Sequence, residues 1–514
     1  MPDHIYSHSF AQFLRNADNS VVNINPYPYV AFEDVFDDTF LRECLKELKS
    51  YLTAHFKETD LFKVFQTTDL ANLEDCIRDA HTNVPNLIRL REHLYSPGFR
   101  GFVSTVTGTG PLDGAVDCSC NIYTSGCHLL CHDDVIGTRK ISYIIYLSDP
   151  DCDWLAVDGG QLELYASDRR TVPTHTPVVS ILPSWNSMVM FEVSPGRSFH
   201  AVREVSAEMK TRVSISGWFH TKERHIKRNQ RETSTLDQLH SMIPATHAEW
   251  AVLHVNRVLS PSYSLVQDLT KWINPEYLRS ESVKRVRQVF EADGSVQLFN
   301  FLLPHIAEPI KRKLNREDCR NSRHRCMYDH GYGDSWVVQG PPHVQRYLSY
   351  QPLECTLANK RSNSGELLKK LMCDLFESSS FQNWVRAVTG SVCDLAHSEV
   401  RRFRPGFDYT LAHAGTKRCS SEIDVTLCLT SGPNPAEWLS GDLGGFKCFI
   451  PIGSKSDRAD VYEEIGEEQN MRSVTPSFNC LSLVKVNTGI GDFVKYVSTS
   501  AKSSRWDIVC RYST

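Results

Sequence analysis

The chain has 514 residues, 41% hydrophobic and 23% charged, the balance of a folded globular protein too long for one ordinary core. A formal net charge of −5 gives no global attraction to nucleic acid or anionic membrane. The opening MPDHIYSHSFAQFL lacks the basic start and apolar core of a signal peptide, and no run of about eighteen apolar residues is available to span a bilayer.

Seventeen scattered cysteines, an odd number, read as reduced thiols of an intracellular protein rather than a disulfide framework. The first regular element is predicted in DDTFLRECLKELKSYLTAHF, where apolar residues recur at helical spacing and Asp37 or Asp38 is available as the cap. Cys118, Cys120, Cys127 and Cys131 form the one dense cysteine cluster. The alternation in CSCNIY reads as a strand rather than a zinc site.

His132 and Asp134 follow, leading into the isoleucine- and tyrosine-rich run ISYIIYL. Strand alternation places these two on one side and turns Asp133 away. His-x-Asp alone is weak evidence, but its company strengthens it. His200 lies in the β-like run PGRSFHAVREV, and Arg212 and Ser214 share one face of TRVSISGWF. Two histidines and a carboxylate on one face are the ligand set of non-heme Fe(II) oxygenases. A buried arginine beside them can grip a carboxylate with two prongs.

HTKERHIKRNQRET, near residues 220 to 233, reads as a solvated linker. A second helix is predicted in NPEYLRSESVKRVRQVF, with Asn274 as cap and Pro275 at the first helical position. The basic stretch from Lys311 to Cys326 reads as a solvated loop.

The two halves echo each other in order. FRGFVSTVTG meets FQNWVRAVTG, CHLLCHDD meets DYTLAHAG, and ISYIIYLS meets IDVTLCLT. DWLAVDGGQLELY then meets EWLSGDLGGFKCFI, PSWNSMVMFEV meets PSFNCLSLVKV, and TRVSISGWF meets SRWDIVCRY. Such a series reads as a duplicated domain, with β-rich runs that suggest an antiparallel sandwich or jelly roll decorated by helices. The second copy keeps His413 but has Ala414 and Gly415 in place of Asp133 and Asp134. Its counterpart of the His200 segment contains no histidine, leaving Tyr496 as the nearest replacement, and Arg505 stands for Arg212. Without its ligands that copy is not a second active site.

Taken with LLCHDD, ILPSWN, MFEVSP and SISGWFH, the set His132, Asp134, Tyr146, His200, Arg212 and Ser214 resembles the two-domain ribosomal prolyl hydroxylases of eukaryotes. These are Fe(II)- and 2-oxoglutarate-dependent dioxygenases of the prolyl hydroxylase branch. The resemblance implies an α+β, mainly β fold of two tandem double-stranded β-helix domains with flanking helices, the N-terminal copy catalytic and the C-terminal copy degenerate. The expected limits are 1–222 for the catalytic domain, 223–262 for a polar linker and 263–514 for the second domain. It implies that His132, Asp134 and His200 hold Fe(II), while Arg212 clasps the distal carboxylate of 2-oxoglutarate with Tyr146. Ser214, Tyr123 and Trp218 line the pocket.

Dioxygen is the implied second co-substrate and L-ascorbate the reductant. The implied substrate is a proline of the small ribosomal subunit's decoding-centre protein, with an effect on translation accuracy or termination. Translation-termination factors are further expected partners. No membrane is involved, direct nucleic-acid binding is not required, and the expected location is cytoplasm and nucleus. On this reading Asp134→Ala abolishes turnover and Asp133→Ala costs little.

Overall fold

The structure, a computed structural model, describes residues 5–222, 268–321, 327–352, 363–412, 420–432, 435–451 and 472–514. The expected linker at 223–262 and the His413-Ala414-Gly415 tripeptide lie outside the described residues. The chain forms two compact units. One is built on Met1–Met242 with two short later segments, the other on the remainder. No helix among the described residues is long and apolar enough to cross a membrane.

In the first unit the helix Asp38–Tyr51 starts where Asp37 accepts the Phe40 N–H at 2.9 Å, as expected of an N-cap. It stops earlier than its periodicity suggests. His55–Glu58 pairs instead with Phe62–Gln66, and the Phe56 and Phe65 rings meet at 5.2 Å. Cross-strand packing there overrides a weak helical preference. The helix Pro97–Thr107 is capped by Ser96 and ends at Gly108, where φ is +67°, a left-handed stop that favours glycine.

The strands are β1 (Tyr29–Phe32), β2 (His55–Glu58), β3 (Phe62–Gln66), β4 (Val116–Tyr123), β5 (His128–His132) and β6 (Arg139–Tyr146). β7 (Leu162–Leu164), β8 (Val179–Ile181), β9 (Met188–Glu192), β10 (His200–Val202) and β11 (Arg212–His220) complete them. They form one curled antiparallel sheet in the order β1-β9-β6-β11-β4-β3-β5-β10-β7-β8, with β2 on the far side of β3. This mainly-β arrangement is consistent with a jelly roll.

Alternation divides the work of the two faces. Ile141, Tyr143 and Ile145 of β6 and Val213, Ile215 and Phe219 of β11 join Leu41, Leu45, Leu87, Leu90 and Val103 of the helices in one core. Burial of each such leucine or isoleucine contributes about 1.5–3 kcal/mol. Tyr146, Arg212 and Ser214 are left for the other face, also buried, so β6 reads as a nearly unbroken apolar run. Of the cysteine cluster, Cys118 and Cys120 enter the helix-side core, Cys127 another cluster and Cys131 a third. Burial pushes the Cys118 thiol up to about 12.

The second unit contains β12 (Ser295–Phe299), β13 (Trp336–Gln339), β14 (Gln345–Tyr350), β15 (Asp394–Phe403), β16 (Tyr409–Thr410) and β17 (Glu422–Thr430). β18 (Lys447–Pro451), β19 (Arg472–Val474), β20 (Cys480–Val486), β21 (Ile490–Val494) and β22 (Arg505–Ser513) follow. One sheet runs β12-β20-β17-β22-β15-β14-β13, with β16 beside β14, and a smaller one runs β19-β18-β21. The helix Ser379–Thr389, capped by Ser378 and ended by Gly390 at φ +69°, has the same start and stop signals as Pro97–Thr107.

Two sequence expectations change here. Asn274 caps a short 3-10 turn, Pro275–Leu278, and the α-helix begins only at Ser280, after Arg279 adopts an extended conformation. The stretch beginning at Lys311 is no solvated loop as far as Asn321: it is the end of the helix Pro304–Asn321. Asp318 on that helix is buried, accepting from Arg402 at 2.9 Å and Trp506 at 3.1 Å. Buried pairing, invisible in a run of like charges, holds it.

A packing prediction follows from Gly217, in β11 between β4 and β6. A Cβ there would lie 1.7 Å from the Asp117 carbonyl oxygen. Gly217→Ala should therefore destabilise the unit by about 1–3 kcal/mol or more. The measurement is the urea midpoint of the full chain, and an unchanged midpoint would refute the close approach.

Candidate metal centre and co-substrate pocket

His132 is the last residue of β5 and His200 the first of β10, and the two are direct antiparallel partners. Their rings lie 4.2 Å apart between centroids. His132 Nδ1 meets the Leu130 carbonyl at 2.9 Å and His200 Nδ1 meets the Ser198 carbonyl at 2.8 Å. A carbonyl can only accept, so each Nδ1 carries a proton and each Nε2 is the nitrogen turned toward Asp134. Asp134 lies between them, with Oδ1 3.2 Å from His132 Nε2 and Oδ2 3.4 Å from His200 Nε2. One ligand atom from each of the three falls within 4.8 Å of the others.

The backbone route to this triad is not the predicted one. β5 ends at His132, and Asp134 sits in a turn at φ +61°. The left-handed turn, rather than strand alternation, swings its carboxylate toward the histidines. Asp133 does turn away from the triad, but into the protein. It is 8% exposed, and its carboxylate accepts the Gly196 N–H at 3.2 Å and the Val135 N–H at 3.3 Å. The expectation of an outward-facing Asp133 is therefore corrected.

Burial opposes ionisation of Asp134, yet the flanking His132 and His200 carry its pKa well below the usual carboxylate range. Trp218 Nε1 donates to Asp134 Oδ2 at 3.0 Å. The expected pocket aromatic thus touches the carboxylate directly. Arg139 covers the same tryptophan, its guanidinium carbon 3.4 Å from the ring centroid and its NH1 3.8 Å from Asp134 Oδ1. Sequence reasoning missed Arg139, since a basic residue opening a strand carries no distinguishing signal.

Behind the triad lies Arg212, 1% exposed. Its Nε donates to the Gly160 carbonyl at 2.9 Å and its NH1 to Ser214 Oγ at 3.2 Å. The rings of Tyr123 and Tyr146 flank it at 4.8 and 5.0 Å. Register explains the grouping, because Tyr123 on β4 pairs with Arg212 and Tyr146 on β6 pairs with Ser214. Gly160, also missed, is required here: at φ +73° an added Cβ would come within 3.1 Å of Arg212 Cδ. Burial pushes the Tyr123 phenol up to about 12 and raises that of Tyr146, although Arg212 opposes both shifts. Both phenols are therefore protonated donors near neutrality.

These residues suit an iron ion and a dicarboxylate co-substrate. Two imidazole Nε2 atoms and one carboxylate on one side of a point form a ligand set that leaves coordination positions open. Arg212 has no carboxylate partner among the described residues, and a buried guanidinium without a counter-ion is costly. The Tyr146 hydroxyl, fully buried beside it, makes no hydrogen bond of ordinary geometry. An incoming carboxylate would satisfy both.

The second unit also buries an arginine, Arg505, but gives it internal partners. Arg505 NH1 donates to the Gly445 carbonyl, as Arg212 donates to Gly160, but Arg505 NH2 also pairs with Asp507 at 3.2 Å. Asp507 is further held by Arg401 at 2.8 and 2.9 Å. The register also corrects the expected counterpart of His200. The Arg203 and Lys495 N–H groups donate to Gln161 and Phe446, one residue past Gly160 and Gly445. His200 pairs with Leu164, and Asp492, not Tyr496, makes the equivalent pair with Phe449. Short strands and intervening loops hid that alignment. Lys447 Nζ lies 2.6 Å from Asp424 and 3.9 Å from Asp492.

Among known proteins, residues 118–220 match the 2OG-Fe(II) oxygenase superfamily. Residues 264–514 match the family described as oxoglutarate and iron-dependent oxygenase degradation C-term. Prolyl 3-hydroxylase OGFOD1 of Xenopus laevis is 29% identical over 493 residues, covering 92% of this chain and 83% of that protein. Its namesake from Mus musculus is 31% identical over 351 residues, 68% of this chain and 53% of that protein. Prolyl 3-hydroxylase sudestada1 of Drosophila melanogaster is 26% identical over 474 residues, 89% of this chain and 77% of that protein.

Trp218→Phe keeps the ring beneath Arg139 and removes the donor to Asp134. We expect metal affinity to fall about tenfold, as for other supports of a ligand, measured by Co(II) titration of the full chain. Unchanged affinity would show that the Trp218 hydrogen bond does not orient Asp134.

Proposed function

Because the chain belongs to the Fe(II)- and 2-oxoglutarate-dependent oxygenases, with the two-domain prolyl hydroxylases, we propose that His132, Asp134 and His200 hold its iron and Arg212 its 2-oxoglutarate. The enzyme is a prolyl-hydroxylating dioxygenase. The observation that carries the residue assignment is the close triad beside a buried arginine lacking a carboxylate partner among the described residues. Arg212 grips the distal carboxylate, and the Tyr146 hydroxyl donates to it. Ser214 holds the guanidinium in place, Tyr123 walls its face, and Trp218 steadies Asp134. Iron supplies the dioxygen chemistry that couples decarboxylation of 2-oxoglutarate to succinate with insertion of one oxygen into a prolyl C–H bond.

The proposed substrate is a proline of the small ribosomal subunit's decoding-centre protein. Position 3 of its ring follows the name shared by the relatives. Ascorbate keeps the iron reduced, and the working compartments are cytoplasm and nucleus. The sequence resemblance supports this reading, as it does a link to translation accuracy and to termination factors. The domains are taken as 1–222 and 263–514, joined by a linker at 223–262. Residues 263–514 are taken as a degenerate second jelly roll that presents substrate or partners. Support comes from the shared strand order, β1-β9-β6-β11-β4 against β12-β20-β17-β22-β15, and from Asp492 at the position of His200, with Asp507 at that of Ser214 and Lys447 at that of Leu162.

The test is the mass of a decoding-centre-protein peptide incubated with enzyme, Fe(II), 2-oxoglutarate and ascorbate. We expect a gain of one oxygen atom that His132→Ala abolishes. Succinate without a gain would exclude that substrate, and neither product, with iron bound, would overturn the residue assignment. Metal analysis should find one ion per chain; two would refute a metal-free second unit.

A further inference from the structure

We propose that Asp133 is a positioning residue that holds the two ligand-bearing segments in register, an inference that rests on the proposed ligand assignment. β10, which carries His200, is only three residues long, too short to set a ring position by its own ladder. The turn before it, Ser194 to Ser198, is fixed instead by Asp133. The Asp133 carboxylate accepts the Gly196 N–H at 3.2 Å, and its carbonyl accepts the Ser198 hydroxyl at 2.7 Å. Ser198 Oγ in turn accepts the Ser194 N–H at 3.0 Å, and the Ser198 carbonyl receives the His200 Nδ1 proton at 2.8 Å. Ser198 therefore links the Asp133 backbone to the His200 imidazole, its hydroxyl bonding the one and its carbonyl the other.

The other carboxylate oxygen works on Asp134. It accepts the Val135 N–H at 3.3 Å, closing a turn of the kind aspartate side chains stabilise over the next residue. That residue is Asp134, whose left-handed backbone at φ +61° is uncommon for an aspartate and needs local support. Being next to His132 in the chain, Asp133 thus touches the placement of all three ligands without contacting the metal position. Alanine leaves the buried Gly196 N–H and the half-buried Val135 N–H without acceptors and frees both turns. Asparagine retains one acceptor oxygen but sets an NH2 donor against a backbone N–H.

The experiment titrates full-length apo-protein with Co(II), followed by its visible absorption, and records thermal unfolding of the same samples. Groups that orient metal ligands typically account for 10–100-fold in affinity. We expect Asp133→Ala to raise the Co(II) Kd about 10–100-fold, with Asp133→Asn intermediate and Ser198→Ala about tenfold. A role in stability alone would lower the unfolding temperature and leave Kd unchanged. Kd within about twofold of the parent for Asp133→Ala and Ser198→Ala overturns the proposal; should Asp133→Ala not fold, Ser198→Ala decides it. If His132→Ala binds Co(II) as tightly as the parent, the ligand assignment falls and takes this inference with it. Loss of binding in His132→Ala beside unaffected Asp133 and Ser198 variants refutes the positioning role alone.

Discussion

The site depends on one repeated local bond, the donation of each histidine's Nδ1 proton to the carbonyl two residues earlier. An imidazole left to choose its tautomer could turn either nitrogen inward. Here the choice is made by backbone, of β5 for His132 and of the turn before β10 for His200. With each Nδ1 so engaged, the pairing of β5 with β10 sets His132 opposite His200, and both Nε2 atoms turn to Asp134. Once β10 lies there, its other edge receives β7, and the Gly160 carbonyl just ahead of β7 receives Arg212. The His132–Asp134–His200 triad and Arg212 are therefore tied to one ladder.

Arg212 raises a second constraint, because a guanidinium 1% exposed has lost its water. Gly160 and Ser214 accept two of its hydrogen bonds but bring no negative charge. Such a group is a poor structural element and a good receptor: its cost falls only when an anion arrives. The second unit meets the same problem with an internal solution. Asp507, two residues after Arg505 as Ser214 is after Arg212, pairs with that arginine and with Arg401. A serine at this position leaves the charge available to a ligand, whereas an aspartate consumes it.

These differences mark how much the sequence discloses. β11 is long enough for alternation to speak, so Arg212 and Ser214 can be placed on one face from spacing alone, whereas Tyr146 enters through the family resemblance. The pairing of His132 with Asp134 was also legible, though through the wrong geometry. A strand and a left-handed turn can deliver side chains at i and i+2 to the same side, and only φ distinguishes them. Asp133 was misjudged for that reason: alternation says which way a side chain turns, not whether water or a backbone N–H meets it. Arg139 and Gly160 act through contacts between distant segments. In the second unit, β21 is too short to carry a pattern, so Tyr496 was matched where the hydrogen-bond register requires Asp492.

That register bears on why the second unit, on the proposed reading, is more than a site with missing ligands. Mere absence would leave a polar hollow needing water or an ion. Instead Lys447, on β18, places an ammonium against Asp424 and Asp492 and accepts burial that pushes its own pKa down. The strand position of Lys447, two residues past Gly445, corresponds to Leu162 in the first unit, two past Gly160. An apolar wall in one unit is thus a cation in the other, and the carboxylate at the His200 position is its counter-charge. Buried pairs of this kind break badly when one member is changed. Asp492→His alone would take a carboxylate from both Lys447 and Arg511, and Lys447→Leu alone would leave the buried Asp424 without its closest cation. Restoring a metal site there requires several coordinated changes, which makes the filled interior a stable alternative to catalysis rather than a half-lost version of it.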